Sequence, residues 1–268
     1  MRGRIAGIIA GVMIVAMSVT GCGSAAKKTD KGDMLGRILD KGKITIAMEG
    51  TWAPWTYHDE NDELTGYDVE LGKKIAEKLG VVAEFVEGEW DGLFAGLDAG
   101  RYDIVINGVD VTPERSEKYV FSEPYAYIHT VIVTRSDNSS INRFEDLKDK
   151  VTANSNASTY MLLAEEYGAK VLGVDSLDET MQMVLSGRAD ATLNAEVSVG
   201  DYLSVHPEAE LRIAASTPEA NQVAIPMVKG EDTETLRRSI DNAIRELKTS
   251  GELAELSQKY FGMDLSKE

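Results

Sequence analysis

The sequence predicts an α/β fold built from two similar lobes, on three observations. Short β-type runs alternate with apolar-faced helical segments along most of the chain. The length of 268 residues suffices for one large domain or two medium ones. The pattern GRYDIVIN at 100–107 returns as GRADATLN at 187–194, each time between a helix and a strand. Chance similarity of so short a stretch is the alternative explanation for the repeat.

The N-terminal residues are expected to lie outside the fold. Arg2 and Arg4 precede an apolar run, 5–19, that ends in small residues, which is the layout of a secretory signal. A run of about 15 residues is short for a membrane-spanning helix. The only cysteine, Cys22, follows the letters VTG, and residues 23–33 are small and charged, as in a flexible tether.

The remaining elements follow from apolar periodicity and from glycines that end helices. In the helix predicted at 68–79, Val69, Ile75 and Leu79 share one face, and Gly80 follows the last turn. The predicted elements are, in order, strand 43–48, helix 68–79, strand 82–86, helix 91–99, strand 102–106, strand 130–134, helix 159–167, strand 170–174, helix 177–185, strand 189–194, helix 233–249 and helix 252–260.

Composition excludes several function classes. Lys and Arg total 28 against 45 Asp and Glu, so the net charge of -17 disfavours a nucleic-acid partner. A single cysteine permits no intrachain disulfide and no thiolate metal cage. The chain has no nucleophile elbow, no phosphate loop and no Cys/His pair, so catalysis is not indicated and neither a cofactor nor a metal is expected.

Several short motifs carry a family resemblance. They are EGTWAPWTY at 49–57, GYDVE at 66–70, WD at 90–91, DIV at 103–105, TPER at 112–115, FSEPY at 121–125 and KYFG at 259–262. In this order they resemble the polar amino-acid-binding proteins of ABC importers, solute-binding family 3, over about 44–262. The stretch from 49 to 70 and ANSNASTY at 153–160 resemble the cystine-binding branch. The letters VTGC resemble the lipobox of bacterial lipoproteins.

The resemblance implies a two-lobe periplasmic-binding-protein-like fold of type II, with two hinge crossings and the ligand in the interlobe cleft. Lobe 1 would comprise 34–126 plus 223–268, and lobe 2 would comprise 127–222, with crossings at 125–129 and 219–222. Residues 1–21 would be the signal peptide, and 22–33 the lipidated Cys22 with its tether. An ordinary signal peptide with a stray cysteine is the alternative. The expected protein is a monomer anchored by lipid to the outer face of the cell membrane or in the periplasm, and its partner is the transporter permease.

An amino-acid ligand requires a cation for its carboxylate and walls for its side chain. Arg115 matches the family arginine that grips the carboxylate, since a guanidinium fork bonds two oxygens at once. Trp52 and Trp90 match the aromatic residues on either side of the ligand side chain. A solvated surface pair is the alternative for Arg115, and core packing is the alternative for the tryptophans, which we adopt for Trp55.

This chain departs from the family at the positions that would bind the α-ammonium of the ligand. Asn107 and Gly108 follow a strand, and Asp110 stands where the family usually has Ser or Thr. In lobe 2, Ala195 stands where the family commonly has an aspartate. A buried ammonium without a partner costs several kcal/mol. We therefore expect Asp110 to supply the carboxylate, with Glu196 as the second choice. The alternative is a ligand without an α-ammonium.

Three further residues are expected at the ligand. Ser158 and Thr159 begin the 159–167 helix, where free N–H groups attract an anion, although Ser158 also suits a plain helix cap. Glu49 matches a family position near the ligand side chain and would suit a far-end ammonium such as that of cystine.

These observations predict an extracytoplasmic lipoprotein that captures a polar amino acid, cystine or similar, for an ABC permease. Two alternatives stay open. One is a dehydratase-like enzyme of the same fold, and the other is a ligand-sensing lipoprotein without a transport role.

Overall fold

The structure, a computed structural model, describes residues 32–268. The expected signal peptide, Cys22 and most of the expected tether lie outside these residues. Asp33 was assigned to the tether, but it caps the first helix: one carboxylate oxygen accepts from Gly36 N at 2.7 Å and the other from Thr235 Oγ1 at 2.8 Å. The folded part therefore includes Asp33.

The first part of the chain forms a small parallel sheet and its covering helices. Its elements are α1 (Met34–Lys41), β1 (Lys43–Met48), β2 (Thr51–Trp52), β3 (Thr56–His58), β4 (Leu64–Thr65), α2 (Tyr67–Leu79), β5 (Val82–Glu87), α3 (Trp90–Asp98), β6 (Ile104–Val105), α4 (Pro113–Lys118) and β7 (Tyr119–Phe121). The sheet has the order β5-β1-β6 with parallel neighbours, and β2-β3-β4 form an antiparallel sheet beside it.

The middle part forms a larger sheet. Its elements are β8 (Ala126–Ile128), β9 (Thr130–Arg135), a 3-10 turn (Phe144–Leu147), β10 (Val151–Ser155), α5 (Thr159–Glu166), β11 (Lys170–Val174), α6 (Leu177–Leu185), β12 (Ala191–Ala195), α7 (Glu196–Val205) and β13 (Leu211–Ser216). The order is β11-β10-β12-β9-β13, in which β9 runs antiparallel to both neighbours.

The chain then returns to the first sheet. The last elements are β14 (Asn221–Val223), β15 (Pro226–Val228), a 3-10 turn (Glu231–Thr233), α8 (Glu234–Ser250) and α9 (Glu252–Phe261). The strands β8 and β14 pair with each other, as do β7 and β15. The β8–β14 pair lies between the two sheets, and residues 126–128 and 221–223 overlap the crossings that the family resemblance implies.

Strand β1 shows why the first lobe has a core on both faces of its sheet. Ile44, Ile46 and Met48 alternate along one face and join the cluster that includes α2 and α8. Ala47 points to the opposite face and packs with α3. The sheet is thus covered on both faces, as expected for a parallel sheet.

The aspartate of the repeated GRxD pattern accepts an equivalent hydrogen bond in each of its two copies. Asp103 accepts a hydrogen bond from Thr45 N at 2.8 Å, in the first half of the neighbouring strand β1. Asp190 accepts one from Val151 N at 2.9 Å, at the start of β10. Each aspartate therefore fixes the entry of an adjacent parallel strand, and the repeat marks equivalent positions in two similar lobes.

Most predicted elements lie within two residues of their predicted bounds, and β1, β11 and α6 match. Strand β6 is shorter than predicted, whereas α1, α4, β10, α7, β13 and the short strands β2–β4, β7 and β15 are not among the predicted elements. The letters VTANS of β10 lack an apolar run although the strand is central, and α7 contains Gly and β-branched residues that weaken a helical pattern. Among the described helices, none has the length and apolar character required to span a membrane.

Candidate ligand site

A cavity lies between the two lobes, at the carboxyl ends of strands from both sheets. It encloses about 500 Å³ of space, including its opening to solvent. Its lining is Glu49, Thr51, Trp52, Trp90, Asn107, Gly108, Asp110, Arg115, Ser155, Ser158, Thr159, Tyr160, Ser176, Leu177 and Asn194. All of the predicted ligand-binding residues except Glu196 are in this set.

Arg115 presents a largely unpaired guanidinium to the cavity. Thr112 caps helix α4 by accepting from Arg115 N at 3.2 Å, which places the side chain. Nη1 donates to the backbone carbonyl of Asp110 at 3.0 Å, and Cζ lies 5.3 Å from the ring centroids of both Trp90 and Phe94. Within residues 32–268 the side chain makes no other hydrogen bond. Burial lowers the pKa of Arg115, and the nearby Asp110 carboxylate opposes this effect. The free donors can grip a ligand carboxylate.

Asp110 is a buried carboxylate with spare hydrogen-bonding capacity. It is 4% exposed. Oδ2 accepts from the Thr159 hydroxyl across the cleft, while Oδ1 has no partner in the described part of the chain. Burial raises the pKa of Asp110, and the Thr159 hydroxyl and Arg115 act in the opposite direction. An unpartnered acceptor of this kind can bind an ammonium.

Gly108 occupies a position that no other residue fits. Its φ is +55°, and a Cβ there would lie 2.5 Å from Trp52 Cζ3. Its N–H donates to Asp68 Oδ2 at 2.6 Å. Asp68 is fully buried, which raises its pKa to about 7, and Tyr125 and the Gly108 N–H act against this rise. The turn is therefore held from behind by Asp68 and covered by Trp52 in front.

Glu49 and Asn107 form a reciprocal pair at the ends of β1 and β6. Asn107 Nδ2 donates to Glu49 Oε2 at 2.7 Å, and Glu49 N donates to Asn107 Oδ1 at 2.8 Å. Burial raises the pKa of Glu49 to about 7; the Asn107 bond lowers it and the Glu89 carboxylate raises it further. No cation pairs with Glu49 in residues 32–268, so the carboxylate is available to a cationic ligand group.

The second lobe contributes the N-terminus of α5. Ser158 Oγ accepts from Met161 N at 3.0 Å, so its side chain is a helix cap that also lines the cavity. Tyr160 is buried beside Asp110 and Arg115, and burial is the main cause of its strongly raised pKa, followed by Asp110. Thr159, as described, joins the lobes through Asp110.

Glu196 lies apart from the other predicted ligand-binding residues. It begins α7, where its N–H donates to His129 O at 3.0 Å, and it does not line the cavity. Strand β12 ends at the fully buried Ala195, and the chain turns into α7 there, so Asn194 is the residue that reaches the cavity. Trp90 lines the cavity, as expected for a residue beside the ligand side chain. Its ring also lies against the guanidinium of Arg115.

The lining includes residues that were not singled out from the sequence: Thr51, Ser155, Tyr160, Ser176, Leu177 and Asn194. Asn194 could have been found, because the two GRxD repeats end in Asn107 and Asn194, and both of these line the cavity. Tyr160 stands within the ANSNASTY segment. Ser155, the last residue of β10, stands in the same segment, whereas Thr51 on β2 and Ser176 and Leu177 at the start of α6 have no distinctive pattern.

Two α/β lobes with a polar cavity between them, lined by Glu49, Asp110 and Arg115, are the architecture of the type II two-lobe class of solute-binding proteins. The model of the bacterial extracellular solute-binding proteins, family 3, matches residues 44–263. The chain belongs to this family, and both the resemblance identified in the sequence and the predicted fold class are confirmed.

Several proteins illustrate the relationship. The chain is 38% identical over 260 residues to the L-cystine-binding protein TcyA of Bacillus subtilis (strain 168), covering 96% of each. It is 41% identical to the L-cystine solute receptor of Neisseria gonorrhoeae, which was solved in an unliganded open conformation. That match has a TM-score of 0.62 and covers 88% of this chain and 100% of that one. The ancestral amino acid-binding protein AncCDT-1, a precursor of cyclohexadienyl dehydratase, is 31% identical with TM-score 0.78, covering 85% of this chain and 99% of that one.

Proposed function

We propose that this protein is the lipid-anchored, extracytoplasmic binding component of an ABC importer and that it captures cystine or a close relative. The observation that carries the proposal is the pairing, in one cavity, of an unpartnered buried carboxylate oxygen on Asp110 with the free guanidinium donors of Arg115. An α-amino acid presents the complementary carboxylate and ammonium. Membership of the family and the similarity to TcyA support the transport role.

The proposed α-carboxylate contact is Arg115. The guanidinium is held by the Asp110 carbonyl and lies against Trp90 and Phe94, so its direction is set before a ligand arrives. Preorganisation of this kind reduces the entropy lost on binding. The N-terminus of α5, with Ser158 and Thr159, would approach the same carboxylate from the second lobe.

The proposed α-ammonium contact is Asp110, in place of the lobe 2 aspartate that Ala195 replaces. Oδ1 is buried and unpartnered, and a charge-assisted bond to an ammonium would satisfy it. Asn107 and Gly108 lie on the same turn and would supply further polar contacts to the ligand.

The remaining charge of the cavity suggests a ligand with a second cationic group. Once Arg115 and Asp110 bind the α-groups, Glu49 has no cation among residues 32–268. A distal ammonium, as in cystine, would pair with it, and Trp52 would pack against the ligand stem.

The proposed organisation follows from the chain crossings at β8 and β14. Lobe 1 would comprise 34–126 plus 223–268, and lobe 2 would comprise 127–222. Ligand would bind lobe 1 first and recruit lobe 2, and closure would create the surface that the permease reads. We propose a monomer that acts by binding without chemical conversion, tethered through residues 23–32 to diacylated Cys22.

The test is thermal unfolding of a soluble Gly23–Glu268 protein against cystine, arginine, glutamine and S-methylcysteine. A ligand at 100 times its dissociation constant adds about 2.7 kcal/mol, which is about 5–10 °C for a protein of this size. Cystine should shift the wild type and lose most of that shift in Arg115→Ala. Adding a reductant, which converts cystine to cysteine, should abolish the shift. If no amino acid shifts the wild type, the proposal fails, and carboxylates without an ammonium and dehydratase substrates should be tested next.

A further inference from the structure

Two side-chain hydrogen bonds join the lobes away from the connecting strands, within residues 32–268. One is the Asp110–Thr159 contact inside the ligand cavity. The other runs from Trp55 Nε1 to Ser198 Oγ at 3.1 Å, between residues 143 positions apart. Neither Trp55 nor Ser198 lines the ligand cavity. The second bond therefore joins the lobes at a place that a ligand does not occupy.

Trp55 is held rigidly on the first lobe. The ring is fully buried and stacks on Trp52 with centroids 5.4 Å apart and an interplanar angle of 16°. Tyr67 meets it edge-on at 5.6 Å, and Phe261 of α9 lies 4.8 Å away. Sequence analysis assigns Trp55 to packing, and this packing is present. It also fixes the direction of the indole N–H.

Ser198 presents the matching acceptor on the second lobe. It is the third residue of α7, directly after strand β12, and is fully buried. The indole nitrogen is a donor only, so in a buried setting it requires an acceptor. When the lobes separate, the N–H and the hydroxyl each lose this partner. The bond thus forms only when the lobes close.

We propose that Trp55 and Ser198 form an interlobe latch that sets the affinity for every ligand from outside the ligand cavity. The proposal deepens the proposed function because it rests on ligand capture by closure. A bond present only in the closed state multiplies the closing equilibrium by a constant factor. That factor does not depend on the ligand side chain, since the latch does not touch it. Its loss should appear mainly in the dissociation rate.

The test compares Ser198→Ala with Ser204→Ala. Ser204 lies on the same helix α7 and is exposed, and among the described residues its hydroxyl donates to Asp201 O alone, at 2.8 Å, so it is a matched control. Ser198→Ala should raise the dissociation constant about fivefold. The factor should be the same for two ligands with different side chains, with a matching rise in dissociation rate. Equal dissociation constants for Ser198→Ala and Ser204→Ala would overturn the latch.

A double-mutant cycle separates the hydrogen bond from the packing of Trp55. Trp55→Phe retains an aromatic ring and removes the N–H. In the latch, Ser198→Ala should have little further effect in the Trp55→Phe background. Additive effects would assign Trp55 to packing alone and refute the proposal.

A further readout reports the bond itself and not the affinity. In the nuclear magnetic resonance spectrum of the ligand-saturated protein, where the lobes are closed, the indole N–H signal of Trp55 should shift in Ser198→Ala and not in Ser204→Ala. If no amino acid binds and this shift is instead observed with a carboxylate that lacks an ammonium, the proposed function fails and the interlobe bond stands. If the signal is the same in both variants with ligand bound, the bond is refuted.

Discussion

Replacing Asp110 with asparagine separates two effects of the buried carboxylate, its cost to the stability of the protein and its contribution to ligand affinity. The substitution retains the size of the side chain and a carbonyl oxygen that can accept from Thr159, but it removes the negative charge. In the wild type, burial leaves this carboxyl 4% exposed with Oδ1 unpartnered. With the lobes in this arrangement the carboxylate is desolvated, and we infer that the ligand ammonium pairs with it.

The expected effects on affinity and on stability have opposite signs. Loss of one partner of a buried ion pair costs about 3–5 kcal/mol, so amino-acid affinity should fall by at least about a hundredfold. Without ligand, the variant should be as stable as the wild type or more so. The pKa of Asp110 is raised above its ordinary value of 3.8. Its stabilising contribution is therefore present at low pH and is lost as the pH rises through the raised pKa. The advantage of Asp110→Asn should appear at neutral pH and disappear near pH 4.

Calorimetric titration with cystine and thermal unfolding across pH 4–8 measure both effects on one preparation. Asp110→Thr, the residue type usual in the family, is the control, because it also lacks the charge and should also lose affinity. If Asp110→Asn binds amino acids within about threefold of the wild type, Asp110 is not the ammonium partner. A variant that is less stable at every pH would indicate a structural role instead.

Two further substitutions test other parts of the site. In Glu49→Gln, affinity for ligands with a distal ammonium should fall, while affinity for S-methylcysteine is retained. Because the pKa of Glu49 in the wild type is about 7, its carboxylate forms between pH 6 and pH 8, and affinity for cystine should rise about tenfold over that range. The variant has no carboxylate at this position and should lose this rise. A pH profile unchanged by the substitution, measured by titration calorimetry, would contradict this role. Gly108→Ala should lower stability by about 2–4 kcal/mol, because φ is +55° and the new Cβ would lie 2.5 Å from Trp52 Cζ3. Gly80→Ala, with φ +75° and no atom within 4 Å, is the control for the dihedral alone; equal losses of melting temperature in the two variants would show that the Trp52 overlap has no cost.

The sequence was informative where the physical signal is local. Apolar periodicity and helix-ending glycines locate most helices and strands, because burial of one face and the φ > 0 turn depend on neighbouring residues. The GRxD repeat indicated two similar lobes, and Asp103 and Asp190 show that its aspartates have the same hydrogen-bonding task. Short motifs identified the family. Nearly all of the ligand-binding residues that the resemblance implied line the cavity.

Other features depend on contacts between distant residues. Strand β10 is polar in sequence and is a strand because its neighbours in the sheet pair with it, and Glu196 lies outside the cavity because the chain turns at Ala195. The neighbours of Asp110 and Glu49 determine their burial, and thereby the direction in which their pKa values move. The bond between Trp55 and Ser198 joins two unremarkable residues of different lobes, so no local pattern could indicate it. The sequence by itself determined the lobes, the family and the chemical groups, and only the packing of one lobe against the other decided which of those groups are buried, paired or free.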